Sequence, residues 1–121
     1  MNKAFLIYNP ASGRRRAKRA EHISQVVDVL RKAGVQVEAC ATTHAGSAIQ
    51  QAREAADSGY DTVISCGGDG TANEILNGLM QSSSEVALGL VPLGSGNLLA
   101  TDLGLPSNPV AAAQKLLRYQ P

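Results

Sequence analysis

Aromatic side chains are nearly missing from this chain of 121 residues, which has one Phe, three Tyr and no Trp. Its core must therefore be built from Ala, Val, Ile and Leu. Cysteine is scarce too. Cys40 and Cys66 fall in separate predicted strands, form no Cys-x-x-Cys pair, and make no metal-ligand spacing with His22 and His44. Reduced thiols in a cytoplasmic protein are the expectation. No apolar run approaches the ~20 residues of a membrane span, and with a strand expected from Lys3 no signal peptide is expected. Charge of either sign is also not in excess. Eleven Lys and Arg against ten Asp and Glu leave a formal charge of +1, which argues against nucleic acid and against a uniformly basic membrane-binding surface. With 44% hydrophobic and 17% charged residues, the chain reads as one ordinary globular domain spanning 1–121.

Two common phosphate motifs are missing as well. No lysine follows a glycine, so there is no Walker A loop. The dinucleotide spacing would need glycine at Asn73, and the first strand, where that fingerprint belongs, has none.

What is present is a rhythm of strand, loop and helix. Lys3 to Tyr8 forms a short apolar run ending at Asn9-Pro10-Ala11-Ser12-Gly13. A helical face of Ala20, Ile23, Val27 and Leu30 follows, stopped by Gly34. A second strand is expected over Val35 to Ala41, with a loop from Thr42 to Gly46. Ser47 and Gln50 have capping-box spacing for a helix ending near Gly59. A third strand over Asp61 to Cys66 runs into Gly67-Gly68-Asp69-Gly70, and Thr71 with Glu74 has capping-box spacing for the next helix. The fourth strand, Val86 to Val91, meets Pro92-Leu93-Gly94-Ser95-Gly96-Asn97. The last helix is expected to start with Asn108 as cap and Pro109 in its first turn, and to run to about Tyr119.

Alternation of this kind implies an α/β fold, a parallel sheet of at least four strands with helices on both faces. Every loop that follows a strand then emerges at the sheet's C-terminal edge, where open α/β sheets bind ligands. The four unusual loops all fall there, so the site is expected to be composite. The glycines let a ligand reach bare backbone amides, and the helix behind them offers N–H groups and a positive dipole end suited to phosphate. Asn9 and Ser12 add an amide and a hydroxyl, as Ser95 and Asn97 do, with Thr42 and Thr43 as weaker candidates. Arg14, Arg15, Arg16, Lys18 and Arg19 cluster where cations oppose a helix dipole. Phosphate attraction, anionic lipid contact and a plain solvated face all remain open readings of that cluster.

Taken together, Asn9 to Gly13, Thr42 to Gly46, Gly67 to Glu74 and Pro92 to Asn97 resemble the motifs of the diacylglycerol kinase catalytic family. That family includes sphingosine, ceramide and bacterial lipid kinases. Its pattern runs Asn-Pro-x-Ser-Gly, Thr-x-x-x-Gly, Gly-Gly-Asp-Gly-Thr-x-Asn-Glu and Pro-x-Gly-Thr-x-Asn, in that order. Ser95 stands where Thr is usual, Leu98 where Asp is frequent, and Ser47 where an acid is common.

The resemblance implies a nucleotide-binding domain like that of NAD kinases and phosphofructokinases, with ATP and Mg²⁺ as cofactors. Asn9, Ser12, Thr42 and Ser95 then correspond to nucleotide contacts. Gly67, Gly68, Gly70 and Thr71 correspond to the phosphate cradle, while Pro10, Gly13, Asn73, Glu74, Gly94 and Asn97 complete the nucleotide-binding set. Asp69 is the implied catalytic and metal-holding carboxylate, since one carboxylate suits a hydrated Mg²⁺.

The implied reaction transfers the ATP γ-phosphoryl group to a lipid hydroxyl, on a diacylglycerol- or sphingosine-like acceptor. In the family a second, β-rich domain carries the general base, most metal-holding acids and the lipid site. The 121-residue chain alone is therefore expected to be inactive. Peripheral membrane contact through Arg14, Arg15, Arg16, Lys18 and Arg19 is a further implication, and a homodimer is left open. A non-catalytic nucleotide-binding or regulatory module and an NAD kinase-like enzyme are the alternative readings.

Overall fold

The computed structural model describes residues 1–10, 16–92 and 109–118. Strands β1 (Lys3–Tyr8), β2 (Gln36–Ala41), β3 (Thr62–Gly67) and β4 (Ala87–Pro92) alternate with helices α1 (Arg16–Lys32), α2 (Ser47–Asp57) and α3 (Asp69–Met80), and α4 (Pro109–Arg118) follows. The strands pair in the order β2-β1-β3-β4, and every pairing is parallel. The α/β expectation therefore holds.

Strand order explains how both faces are covered. A right-handed crossover from β1 out to β2 puts α1 on one face. The return from β2 across β1 to β3 puts α2 on the other. On the α1 side, Leu6, Ile64 and Val91 from the sheet pack with Ile23, Val26 and Leu30 of α1 and with Ala112 and Ala113 of α4. On the other side, Ile7 and Val63 pack with Ala48, Ala52 and Ala55 of α2 and with Ile75 of α3. Alternation along β1 and β3 supplies both layers, as a period of two requires. The buried stripe of α1 is Ile23, Val26 and Leu30. Val27 is half-buried and Ala20 exposed, so the stripe is rotated slightly from the expected one.

The boundaries carry physical reasons. Gly34, at φ +90°, ends α1 in a Schellman turn. Its N–H bonds the Arg31 carbonyl, and the Val35 N–H bonds the Leu30 carbonyl at 3.1 Å. Gly59, at φ +91°, ends α2 the same way, with Tyr60 N–H bonded to the Ala55 carbonyl.

Three expectations need correction. Gly67 is not a loop residue: its ladder to β4 continues as far as Pro92, so it closes β3. Neither expected capping box forms. Gly68, extended at φ −95° and ψ −171°, is the N-cap of α3, so Thr71 already lies inside the first turn. Gly46 is the N-cap of α2, and the Ser47 hydroxyl instead accepts the Thr43 N–H at 3.0 Å, while Gln50 donates to Glu54. The expected cap Asn108 and end Tyr119 lie outside the described residues, as does the loop from Leu93.

Candidate functional site

The sheet order places the switch point between β1 and β3, whose following helices go to opposite faces. A cleft of about 430 Å³ opens at the C-terminal edge there, lined by Asn9, Pro10, Thr42, Thr43, His44, Ala45, Thr71 and Glu74. That volume lies within the ~300–1,000 Å³ usual for small-molecule sites. Three of the four strand ends expected to share a site meet at this cleft; the loop after β4 lies outside the described residues. Asn9 and Pro10 follow β1, Thr42 to Ala45 follow β2, and Thr71 and Glu74 belong to the helix that follows β3.

Each wall is held by identifiable bonds. Thr42 N–H donates to the Tyr8 carbonyl at 2.8 Å, so the second loop leaves the sheet in register with β1. Arg19 Nη1 donates to the Asn9 carbonyl at 3.0 Å, drawing the end of β1 toward α1. Glu74 Oε1 accepts the Gly46 N–H at 3.1 Å, joining α3 to the second loop. Arg19 is 5% exposed. Burial lowers its pKa, opposed by nearby Cys66, and burial pushes the Cys66 thiol up, with Arg19 opposing. The thiol therefore stays protonated at neutral pH.

Arg19 is consequently a correction to the membrane-contact expectation: its guanidinium is spent inside the fold on Asn9. Arg16 and Lys18 lie in the first turn of α1, and Arg14 and Arg15 lie outside the described residues.

Of the expected site residues, Asn9, Pro10, Thr42, Thr71 and Glu74 are brought together on the cleft wall. Gly67, Gly68, Asp69, Gly70 and Asn73 sit at the same edge but do not line it. Gly67 is buried in the sheet, Gly68 and Asp69 are half-buried, and Gly70 and Asn73 are exposed. The neighbourhood of Gly68 and Gly70 is telling. A Cβ built on either would meet nothing within 4 Å, and neither has positive φ. Neither backbone conformation nor packing demands glycine there, so what these residues provide is open space at the N-cap and first turn of α3. Ser12, Gly13, Gly94, Ser95 and Asn97 lie outside the described residues.

Thr43, His44 and Ala45 line the cleft as firmly as Thr42. The sequence offers His44 no metal-ligand spacing and no site role of its own, although its position in the loop after β2 is signal enough for a place at this edge. Its Nδ1 lies 3.0 Å from the Ala45 carbonyl.

Among the described residues no three His, Cys, Asp or Glu side chains gather into a metal site. Mg²⁺ does not require one. It keeps several waters and is commonly held by one or two carboxylates plus substrate phosphates. Asp69 stands in the first turn of α3, beside the open space at Gly68 and Gly70. No described helix is long and apolar enough to cross a membrane.

Fold and cleft together define a class: doubly wound α/β domains with a cleft at the switch point and glycines leading into a helix N-terminus. Within that class the chain belongs to the diacylglycerol kinase catalytic domain family, which matches residues 3–121. A diacylglycerol kinase of Bacillus subtilis (strain 168) is 42% identical over 113 residues, covering 93% of this chain and 37% of that protein. Another, from Staphylococcus saprophyticus, is 36% identical over 115 residues, again 37% of its length. A crystal structure of a diacylglycerol kinase from Bacillus anthracis str. Sterne superposes with a TM-score of 0.85 at 30% identity, covering 98% of this chain and 40% of that one. The chain thus spans little more than a third of the curated relatives it matches. Membership of a lipid kinase family follows.

Proposed function

We propose that residues 1–121 form the ATP-binding domain of a lipid kinase, which transfers the γ-phosphoryl group of ATP to a lipid hydroxyl on a diacylglycerol- or sphingosine-like acceptor. The observation that carries this is the meeting of three strand ends around one cleft beside an open glycine turn. Asn9, Thr42 and Thr43 offer an amide and hydroxyls to the nucleoside. The first turn of α3 aims its N–H groups and positive dipole end outward at phosphate. Asp69 would hold hydrated Mg²⁺, which supplies charge neutralisation on the phosphates when bound.

Phosphoryl transfer is mostly positioning and charge stabilisation, and these residues serve both. They do not align a base on an acceptor hydroxyl, a task that falls to a second, β-rich domain.

Titration of the ¹⁵N-labelled chain with ATP and Mg²⁺ tests the assignment. Shifts should appear at Asn9, at Thr42 to Ala45 and at Gly68 to Thr71, with weak affinity because half a cleft encloses little of the ligand. Shifts confined to the opposite edge, around Gly34 and Gly59, would overturn it.

A further inference from the structure

The carboxylate of Glu74 does not serve its own helix. α3 begins at Asp69, so Glu74 stands in its second turn, and its Oε1 accepts the backbone N–H of a residue 28 positions earlier. That residue, Gly46, is the N-cap of α2, in the left-handed region at φ +88°, and no side-chain hydrogen bond caps that helix end. In a capping box a glutamate takes the N–H of its own helix's N-cap. Here the same bond arrives from the neighbouring helix, and it also sets a negative charge at the positive end of α2.

The bond joins two walls of the cleft. Thr42 is held to β1 and Thr43 to α2, so the loop is already fixed to the sheet and to its own helix. The Glu74–Gly46 bond adds the link across to α3, where Thr71 and Glu74 both line the opening. We infer that Glu74 is a positioning residue. It sets the spacing between the 42–46 loop and α3 by holding the Gly46 amide, and it does not ligate the metal. The ligand part of this inference rests on the nucleotide reading above; the tether itself does not.

Glu74→Gln keeps an acceptor oxygen at the same reach and loses the charge. Glu74→Ala loses both. The first readout needs no nucleotide: hydrogen exchange of the Gly46 amide, followed by NMR in the 121-residue chain. Exchange should quicken about tenfold in Glu74→Ala, as removal of a hydrogen bond to a charged acceptor implies, and Glu74→Gln should restore most of the protection.

The second readout is affinity for ATP, measured with Mg²⁺ and again with EDTA. Glu74→Ala should lose about tenfold under both conditions, with Glu74→Gln recovering most of it. A loss confined to Mg²⁺ conditions, and as deep for Gln as for Ala, is the signature of a metal ligand and would overturn the proposal. So would an unprotected Gly46 amide in the parent. Should Glu74→Ala fail to melt cooperatively, Glu74→Asp takes its place, because one methylene less puts the carboxylate out of reach. If the parent binds no ATP, the nucleotide reading fails, while Gly46 exchange still decides the tether.

Discussion

The two edges of the sheet use the same residue type for opposite ends. At the N-terminal edge Gly34 and Gly59 sit at φ +90° and +91°, each reversing the chain out of a helix and closing it with backbone bonds. Asp61 Oδ2 accepts the N–H groups of Asn2 and Lys3 at 2.8 and 2.9 Å, and Oδ1 accepts the Thr62 hydroxyl at 2.7 Å. Tyr60 meets Phe5 edge-on and carries the Lys3 ammonium over its ring, so two of the chain's few aromatics seal this end. At the C-terminal edge Gly68 has φ −95° and open space around its missing side chain. The N-terminal edge spends Gly34 and Gly59 on backbone conformation, as the C-terminal edge spends Gly46 at φ +88°, whereas Gly68 leaves open space where α3 begins. Stability and binding should therefore respond to different glycines.

The sharpest way to break this contrast is Gly68→Asp. A carboxylate there would fill the phosphate's space and oppose its charge. Two unit charges ~4 Å apart at an effective dielectric of ~20 repel by about 4 kcal/mol, close to a thousandfold in affinity. The fold should hardly notice, within about 0.5 kcal/mol, because φ is ordinary and nothing is crowded. Calorimetry with ATP and a thermal melt measure the two effects. A domain that unfolds, or one that binds ATP like the parent, would end the cradle reading. Gly68→Ala, with a methyl group and no charge, isolates the electrostatic part.

Gly59→Ala should do the reverse. An alanine held at positive φ costs about 1–2 kcal/mol, to be read from urea denaturation at an unchanged slope, with affinity for ATP intact. Weakened binding in this variant would mean that the two edges are mechanically coupled.

The smallest effect expected is the pH dependence contributed by Asp61. Desolvation, the largest single influence, raises its pKa, but the hydrogen bonds from Thr62, Lys3 and Asn2 outweigh it, aided by the chain's N-terminal charge, and the net shift is downward from 3.8. A depressed carboxylate stabilises the fold fully above its unfolded value and loses that contribution as pH falls through the folded one. Stability should therefore drop as pH falls below about 4, and Asp61→Asn should flatten that drop while lowering stability at pH 7. An unchanged acid limb in the variant would assign the dependence to another group.

Much of the fold was legible because it depends on local chemistry. The short apolar run from Lys3 to Tyr8, the strand read over Asp61 to Cys66, and glycine after α1 and α2 are short-range signals, and the strand-loop-helix order alone sends every strand-end loop to one edge. That is why Asn9, Thr42 and Thr71 group together on sequence alone. The capping boxes were misleading for the converse reason. Ser-x-x-Gln and Thr-x-x-Glu have the right spacing, yet a carboxylate bonds whichever amide the packing presents, and for Glu74 that amide is Gly46. Arg19 misled in the same way: inside a basic run it reads as surface, and only the seating of α1 buries it against the Asn9 carbonyl.

The closeness of α2 and α3 is likewise tertiary. A Cβ on Gly78 would run into the Ile49 carbonyl oxygen and come within 3.0 Å of the Ala52 Cβ. That reason for glycine exists only once two helices distant in sequence are pressed together. Local sequence set the elements, the edge where the strand-end loops gather and the family, since each follows from neighbours a few residues apart or from motif order. The tertiary structure alone decided the β2-β1-β3-β4 order, the place of the switch point, and which carboxylate and guanidinium brace the cleft, because those depend on contacts between segments that the chain separates.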